Sequence, residues 1–127
     1  MNDSLYILKY SEEWSSEDFG VTGGSFDFGD YNDDGFIDFS ILGLNSDGDP
    51  ITKIITNSIN GFYEKEGHNF KGLFNGRSTW SDYDNDGDLD LLTSGLSSTE
   101  GGGSDPYSSI YYQDNSTFTI DETSNID

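Results

Sequence analysis

The chain has 127 residues, enough for one modest domain, and a net charge of -20 from 25 acidic and 5 basic residues. So acidic a surface repels nucleic-acid phosphates and anionic membranes, which argues against both as partners, and no apolar run approaches a membrane span. The 9 Phe, 8 Tyr and 2 Trp, placed in short runs, argue against a disordered chain, and the lack of cysteine excludes disulfides and thiolate metal sites.

The predicted elements are all short strands. Near the N-terminus, Leu5-Tyr6-Ile7-Leu8-Lys9-Tyr10 has strand character and Trp14 follows it. Strands are then expected near Ser25–Phe28, Ile37–Leu42, Ile51–Thr56 and Phe62–Lys65. A second set follows near Ser78–Ser81, Leu89–Thr93, Ser109–Gln113 and Thr117–Ile120. Gly, Asn, Asp and Pro fill the turns between them. The second strand of each set is largely apolar rather than alternating, which suggests burial on both faces. No helical stripe is evident.

The two sets are copies of one unit. Asp30-Tyr31-Asn32-Asp33-Asp34-Gly35-Phe36-Ile37-Asp38 returns 52 residues later as Asp82-Tyr83-Asp84-Asn85-Asp86-Gly87-Asp88-Leu89-Asp90. At the same offset Gly24 matches Gly76, Phe28 matches Trp80, and Gly43-Leu44 matches Gly95-Leu96. Beyond them the offset becomes 56, matching Ile54 to Ile110 and Phe62 to Phe118, with the four extra residues expected in a loop near Glu100-Gly101-Gly102-Gly103. The N-terminal strand resembles the third of a unit, giving roughly two and a half units. The expected division is a partial unit at 1–19, one unit at 20–70 and another at 71–127.

Both acidic stretches fit D-x-[DN]-x-D-G-x-x-D. Oxygen-bearing side chains at alternate positions, a glycine for the sharp turn and a closing Asp are what a loop needs to wrap a hard cation. An EF-hand would need a bidentate Glu at the twelfth position and flanking helices. Those positions hold Ile41 and Thr93, inside predicted strands, which also disfavours a dockerin-type loop. A metal-free Asp/Gly turn is the plain alternative.

The acidic loop, its trailing apolar strand and the Gly-Leu pair resemble the VCBS/FG-GAP repeat family, the blades of integrin-alpha-like β-propellers. The similarity covers most of residues 20–120 and is strongest over Trp80–Leu92. It implies an all-β fold of about two to two and a half four-stranded antiparallel blades, with a calcium loop between the first two strands of each. Carried over residue by residue, the first loop's ligands are Asp30, Asn32, Asp34, the backbone carbonyl of Phe36, and Asp38. Those of the second are Asp82, Asp84, Asp86, the carbonyl of Asp88, and Asp90. Two Ca²⁺ ions are expected. Propellers of this family close with about seven blades, so these units form part of a longer ring or associate with copies of themselves.

Other residues add little chemistry. Asn45-Ser46-Asp47-Gly48-Asp49 reads as a hairpin turn rather than a third cation site. His68 reads as a solvated loop residue, Glu64 and Glu66 lack the pocket of a glycosidase pair, and no nucleophile motif or phosphate loop is present. The expectation is a non-catalytic, calcium-binding repeat module of a secreted or cell-surface protein, serving adhesion, ligand display or structure, with a protein or glycan ligand. The alternatives are a self-assembling subunit of an extracellular ring or filament, and part of a polysaccharide-active propeller. Millimolar extracellular calcium suits such loops. Met1-Asn2-Asp3-Ser4 lacks the basic and apolar regions of a signal peptide, implying a removed signal or a cloning start.

Overall fold

Short apolar runs punctuated by turn residues fold into two sheets of the same design. The structure, a computed structural model, describes residues 21–120. The partial unit expected at 1–19, with its strand at Leu5–Tyr10 and with Trp14, lies outside the described residues. The first sheet is antiparallel, in the order β1 (Thr22–Gly29), β2 (Asp38–Leu44), β3 (Pro50–Ser58), β4 (Gly61–Glu64). The second has the order β5 (Phe74–Ser81), β6 (Asp90–Ser98), β7 (Ser104–Asp114), β8 (Thr117–Ile120). The protein is all-β, and among the described residues there is no helix.

The two copies share their irregularities. Register shifts fall between Thr22 and Ser25 in β1 and between Phe74 and Arg77 in β5. The matched glycines Gly24 and Gly76 occupy these bulges. A Cβ on Gly24 would stand 1.8 Å from the Leu42 carbonyl oxygen, and one on Gly76 1.9 Å from that of Ser94. Only glycine lets the two backbones approach so closely.

The four extra residues of the second copy do not enlarge a loop. Asn45–Asp49 connects β2 to β3, and Thr99–Gly103 connects β6 to β7, with matching internal bonds. Asn45 N–H donates to Asp49 O at 2.9 Å, and Thr99 N–H to Gly103 O at 2.9 Å. The insertion instead lengthens the hairpin: β6 has 9 residues against 7 in β2, and β7 has 11 against 9 in β3. Extending a ladder pairs the added backbone groups, which a floppier loop would leave to water.

The sheets pack face to face, β1 and β2 against β5. The contact is polar at one end: Ser78 N–H donates to Ser25 Oγ at 3.1 Å, and the Ser40 and Ser78 hydroxyls bond at 2.7 Å. At the other end Trp80 is clamped by Asp27, whose carboxylate accepts the Trp80 backbone N–H at 2.8 Å and whose carbonyl accepts the indole N–H at 3.2 Å. The Trp80 ring stacks on Tyr31, with centroids 5.7 Å apart and planes 8° apart. Tyr31, Ile54, Trp80, Leu91 and Tyr111 form the shared core, with Phe70 and Phe118 against it. On the opposite face of the first sheet, Phe39, Ile41 and Ile55 form a second cluster with Val21 and Phe62. β2 is therefore buried on both faces, as its apolar run predicts. β6 is not: Leu91 and Thr93 are buried, but Leu92 on the other face is only half-buried.

Candidate metal centres

Each acidic loop joins the first two strands of its sheet, β1 to β2 and β5 to β6. The chain has to turn sharply there, and it does so with two left-handed residues. Asp33 and Asn85 take φ of 57° and 61°, a region that Asp and Asn tolerate best among side-chain-bearing residues. Gly35 and Gly87 follow at 88° and 94°.

A fixed pattern of hydrogen bonds then shapes the loop. Asp30 accepts the N–H groups of Asp34 at 3.1 Å and Gly35 at 2.8 Å, one on each carboxylate oxygen. Asp82 does the same for Asp86 at 3.0 Å and Gly87 at 2.8 Å. Asp34 accepts the Phe36 N–H, and Asp86 the Asp88 N–H, each at 2.9 Å. The closing residues tie the loop to the sheet. Asp38 accepts Tyr31 N–H at 3.2 Å and Asn57 N–H at 2.8 Å, while Asp90 accepts Tyr83 N–H at 2.8 Å and Gln113 N–H at 2.9 Å. Both closing carboxylates are fully buried. Tyr31, Tyr83, Asn57 and Gln113 are thus part of the site, and the sequence motif alone does not name them. The signal was present: the 52-residue offset pairs the tyrosines, and the 56-residue offset pairs Asn57 with Gln113.

The result is carboxylate crowding. Asp30, Asp34 and Asp38 bring one oxygen each to within 4.8 Å of one another, as do Asp82, Asp84 and Asp86. Asn32 holds the position equivalent to Asp84, and its side-chain oxygen is buried with no hydrogen-bond partner. Phe36 and Asp88 take part through the backbone; the Phe36 ring itself is exposed. These donors fit a hard divalent cation of calcium's kind: all are oxygens, they are gathered in one loop, and one amide oxygen is otherwise orphaned in a buried setting.

The crowding shows in the titration of the loops. Burial, reinforced by the charges of Asp34 and Asp30, pushes Asp38 up to about 6 against the opposing bonds from Asn57 and Tyr31. Partial desolvation, a bond from Asp86 and the charges of Asp90 and Asp86 push Asp84 up to about 6. Asp82 moves the other way, chiefly because Gly87 N–H bonds its charged form. A carboxyl raised in the native state binds a proton that the unfolded chain has already released between about pH 4 and 6. Without metal, stability therefore rises as pH falls from 7 towards 5, and the general repulsion of an acidic chain works in the same direction. An ion held by these loops would require the ionised carboxylates, so with calcium the sign is expected to reverse. Thermal melts at the two pH values, with chelator and with calcium, check this; a chelated protein that melts lower at the acid value contradicts it.

Among the described residues, the remaining polar groups form no third centre. The Asn45–Asp49 segment is the hairpin expected, with the Asn45 side-chain oxygen accepting the N–H groups of Asp47 at 3.0 Å and Asp49 at 2.9 Å. Glu64 is ion-paired with Lys53 at 3.1 Å. His68 is half-buried rather than freely solvated, stacked on Phe70 with centroids 4.1 Å apart, and burial lowers its pKa. Comparison of the chain with family models, with curated proteins and with solved structures finds no match.

Proposed function

We propose that the chain is a calcium-stabilised repeat module of the β-propeller kind, non-catalytic, working outside the cell in adhesion, ligand display or scaffolding. The observation that carries this reading is the pair of loops. Two separate segments build one and the same hydrogen-bonded frame, each gathers three carboxylates, and the first leaves the buried Asn32 oxygen without a partner. Such a frame holds like charges together at a cost, and a divalent cation removes that cost. Asp30, Asn32, Asp34 and Asp38 would hold one ion, with the Phe36 carbonyl; Asp82, Asp84, Asp86 and Asp90 the other, with the Asp88 carbonyl. The ion would supply no chemistry beyond fixing the β1–β2 and β5–β6 connections. Weak, highly charged loops of this type fill at extracellular calcium levels, which supports a role outside the cell. The propeller reading is supported by two consecutive four-stranded antiparallel sheets stacked face to face, first strand nearest first strand.

Calorimetric titration tests the proposal. Two calcium ions should bind per chain, with dissociation constants in the range of about 10⁻⁶ to 10⁻³ M, and magnesium should bind more weakly. Heats that show no calcium binding, or equal preference for magnesium, sink the reading.

A further inference from the structure

The repeat allows each face of one sheet to be compared with the matching face of the other, and the comparison leaves two faces unpaired. The β5 face that packs on the first sheet carries Ser78 and Trp80, which are 2% and 9% exposed. Their counterparts on β1 are Phe26 and Phe28, and these are 50% and 67% exposed. Tyr31, roofed by Trp80, is 4% exposed, whereas its counterpart Tyr83 is 40% exposed. Matched positions thus have opposite exposure: among the described residues, no sheet packs on the Phe26–Phe28 side of the first or on the Tyr83–Leu92 side of the second.

The two open faces are also matched to each other. Inside the chain, a serine meets a serine, Ser40 against Ser78. On the open faces the same two positions hold Leu92 and Phe26, so both partners have become apolar together. Inside the chain, Gly29 is flat because a Cβ there would stand 3.0 Å from the Trp80 ring. On the open faces that position holds Ser81, and the ring opposite it is the smaller Phe28. At these two pairs of positions a change on one face has its complement on the other.

We propose that a second copy of this chain stacks on the first, head to tail, continuing the interface that already joins the two sheets. Phe28 of one copy covers Tyr83 of the next, as Trp80 covers Tyr31 within the chain, and Phe26 meets Leu92. The contact is heterologous, because two different faces meet, and it closes into a ring or runs on according to its rotation angle. It rests on the repeat alone and not on the metal reading.

The test is the solution mass of the 127-residue chain at high salt, where repulsion between acidic copies is screened. Sedimentation should show a mass that rises with concentration, as a discrete multiple or as a series. Phe28→Ser and Leu92→Ser should each weaken association by roughly thirtyfold or more, as loss of an interface anchor does. Phe28 is mostly exposed and Leu92 only half-buried, so both variants should stay folded, which a thermal melt of each checks. Each variant retains one good face, so mixing the two should restore a discrete one-to-one pair and nothing larger. A wild-type chain that stays single at all concentrations overturns the proposal. So do variants that associate like wild type, or a mixture that forms no pair.

Discussion

In excess calcium the protein is expected to melt higher than in chelator, by on the order of 10–20 °C. An ion bound only by the folded chain contributes about 2.7 kcal/mol at a hundredfold excess over its dissociation constant, and there are two loops. Single substitutions in the second loop separate the ion's share from the loop's own. Asp90 is buried and satisfies the N–H groups of Tyr83 and Gln113. Asp90→Ala leaves both donors unpaired, so it lowers melting even in chelator, by about 1–3 kcal/mol per orphaned group, and it also removes most of the second loop's calcium increment. Asp84 is exposed, and partial desolvation together with its neighbouring carboxyls already pushes it up to about 6. Asp84→Ala therefore cuts the calcium increment while leaving the chelated protein as stable as before, or more so. Differential scanning calorimetry reads all four quantities. Superimposable curves with calcium and with chelator would show that no ion supports the fold.

Much of this architecture is legible in the chain because its signals are local. The strands announce themselves by short aromatic and β-branched runs, and the internal repeat lets a clear copy such as Trp80–Leu92 lend its pattern to the weaker Phe28–Ile41. What depends on register is not legible. Asp38 and Asp90 look like plain closing ligands until the pairing of β2 with β3, and of β6 with β7, brings Asn57 and Gln113 alongside. The glycines at 101–103 suggest an enlarged loop, yet the extra residues extend the ladder on both sides of a turn of unchanged length. Asp27 carries no motif at all. Its role appears only when the second sheet sets Trp80 against it, a contact between residues 53 apart in sequence.

That contact predicts the largest effect of any single side chain away from the loops. Trp80→Ala should destabilise the metal-bound protein by about 3–5 kcal/mol, the usual cost of emptying a buried aromatic site. The indole is nearly fully buried and stacks on Tyr31, and Phe118 lies tilted against it at 6.1 Å. Its removal leaves the Asp27 carbonyl without the indole N–H and opens a void between the sheets, which backbone groups on both sides are too constrained to fill. Trp80→Phe should cost less, because the ring stack survives and only one hydrogen bond and part of the volume are lost. The internal control is Phe28→Ala, at the matching position of the first unit. Phe28 is 67% exposed, so in dilute solution its truncation should shift stability by less than about 1 kcal/mol. Chemical denaturation of the three variants in calcium decides the matter. Equal losses at the two matched positions would mean that the sheets do not meet through Trp80.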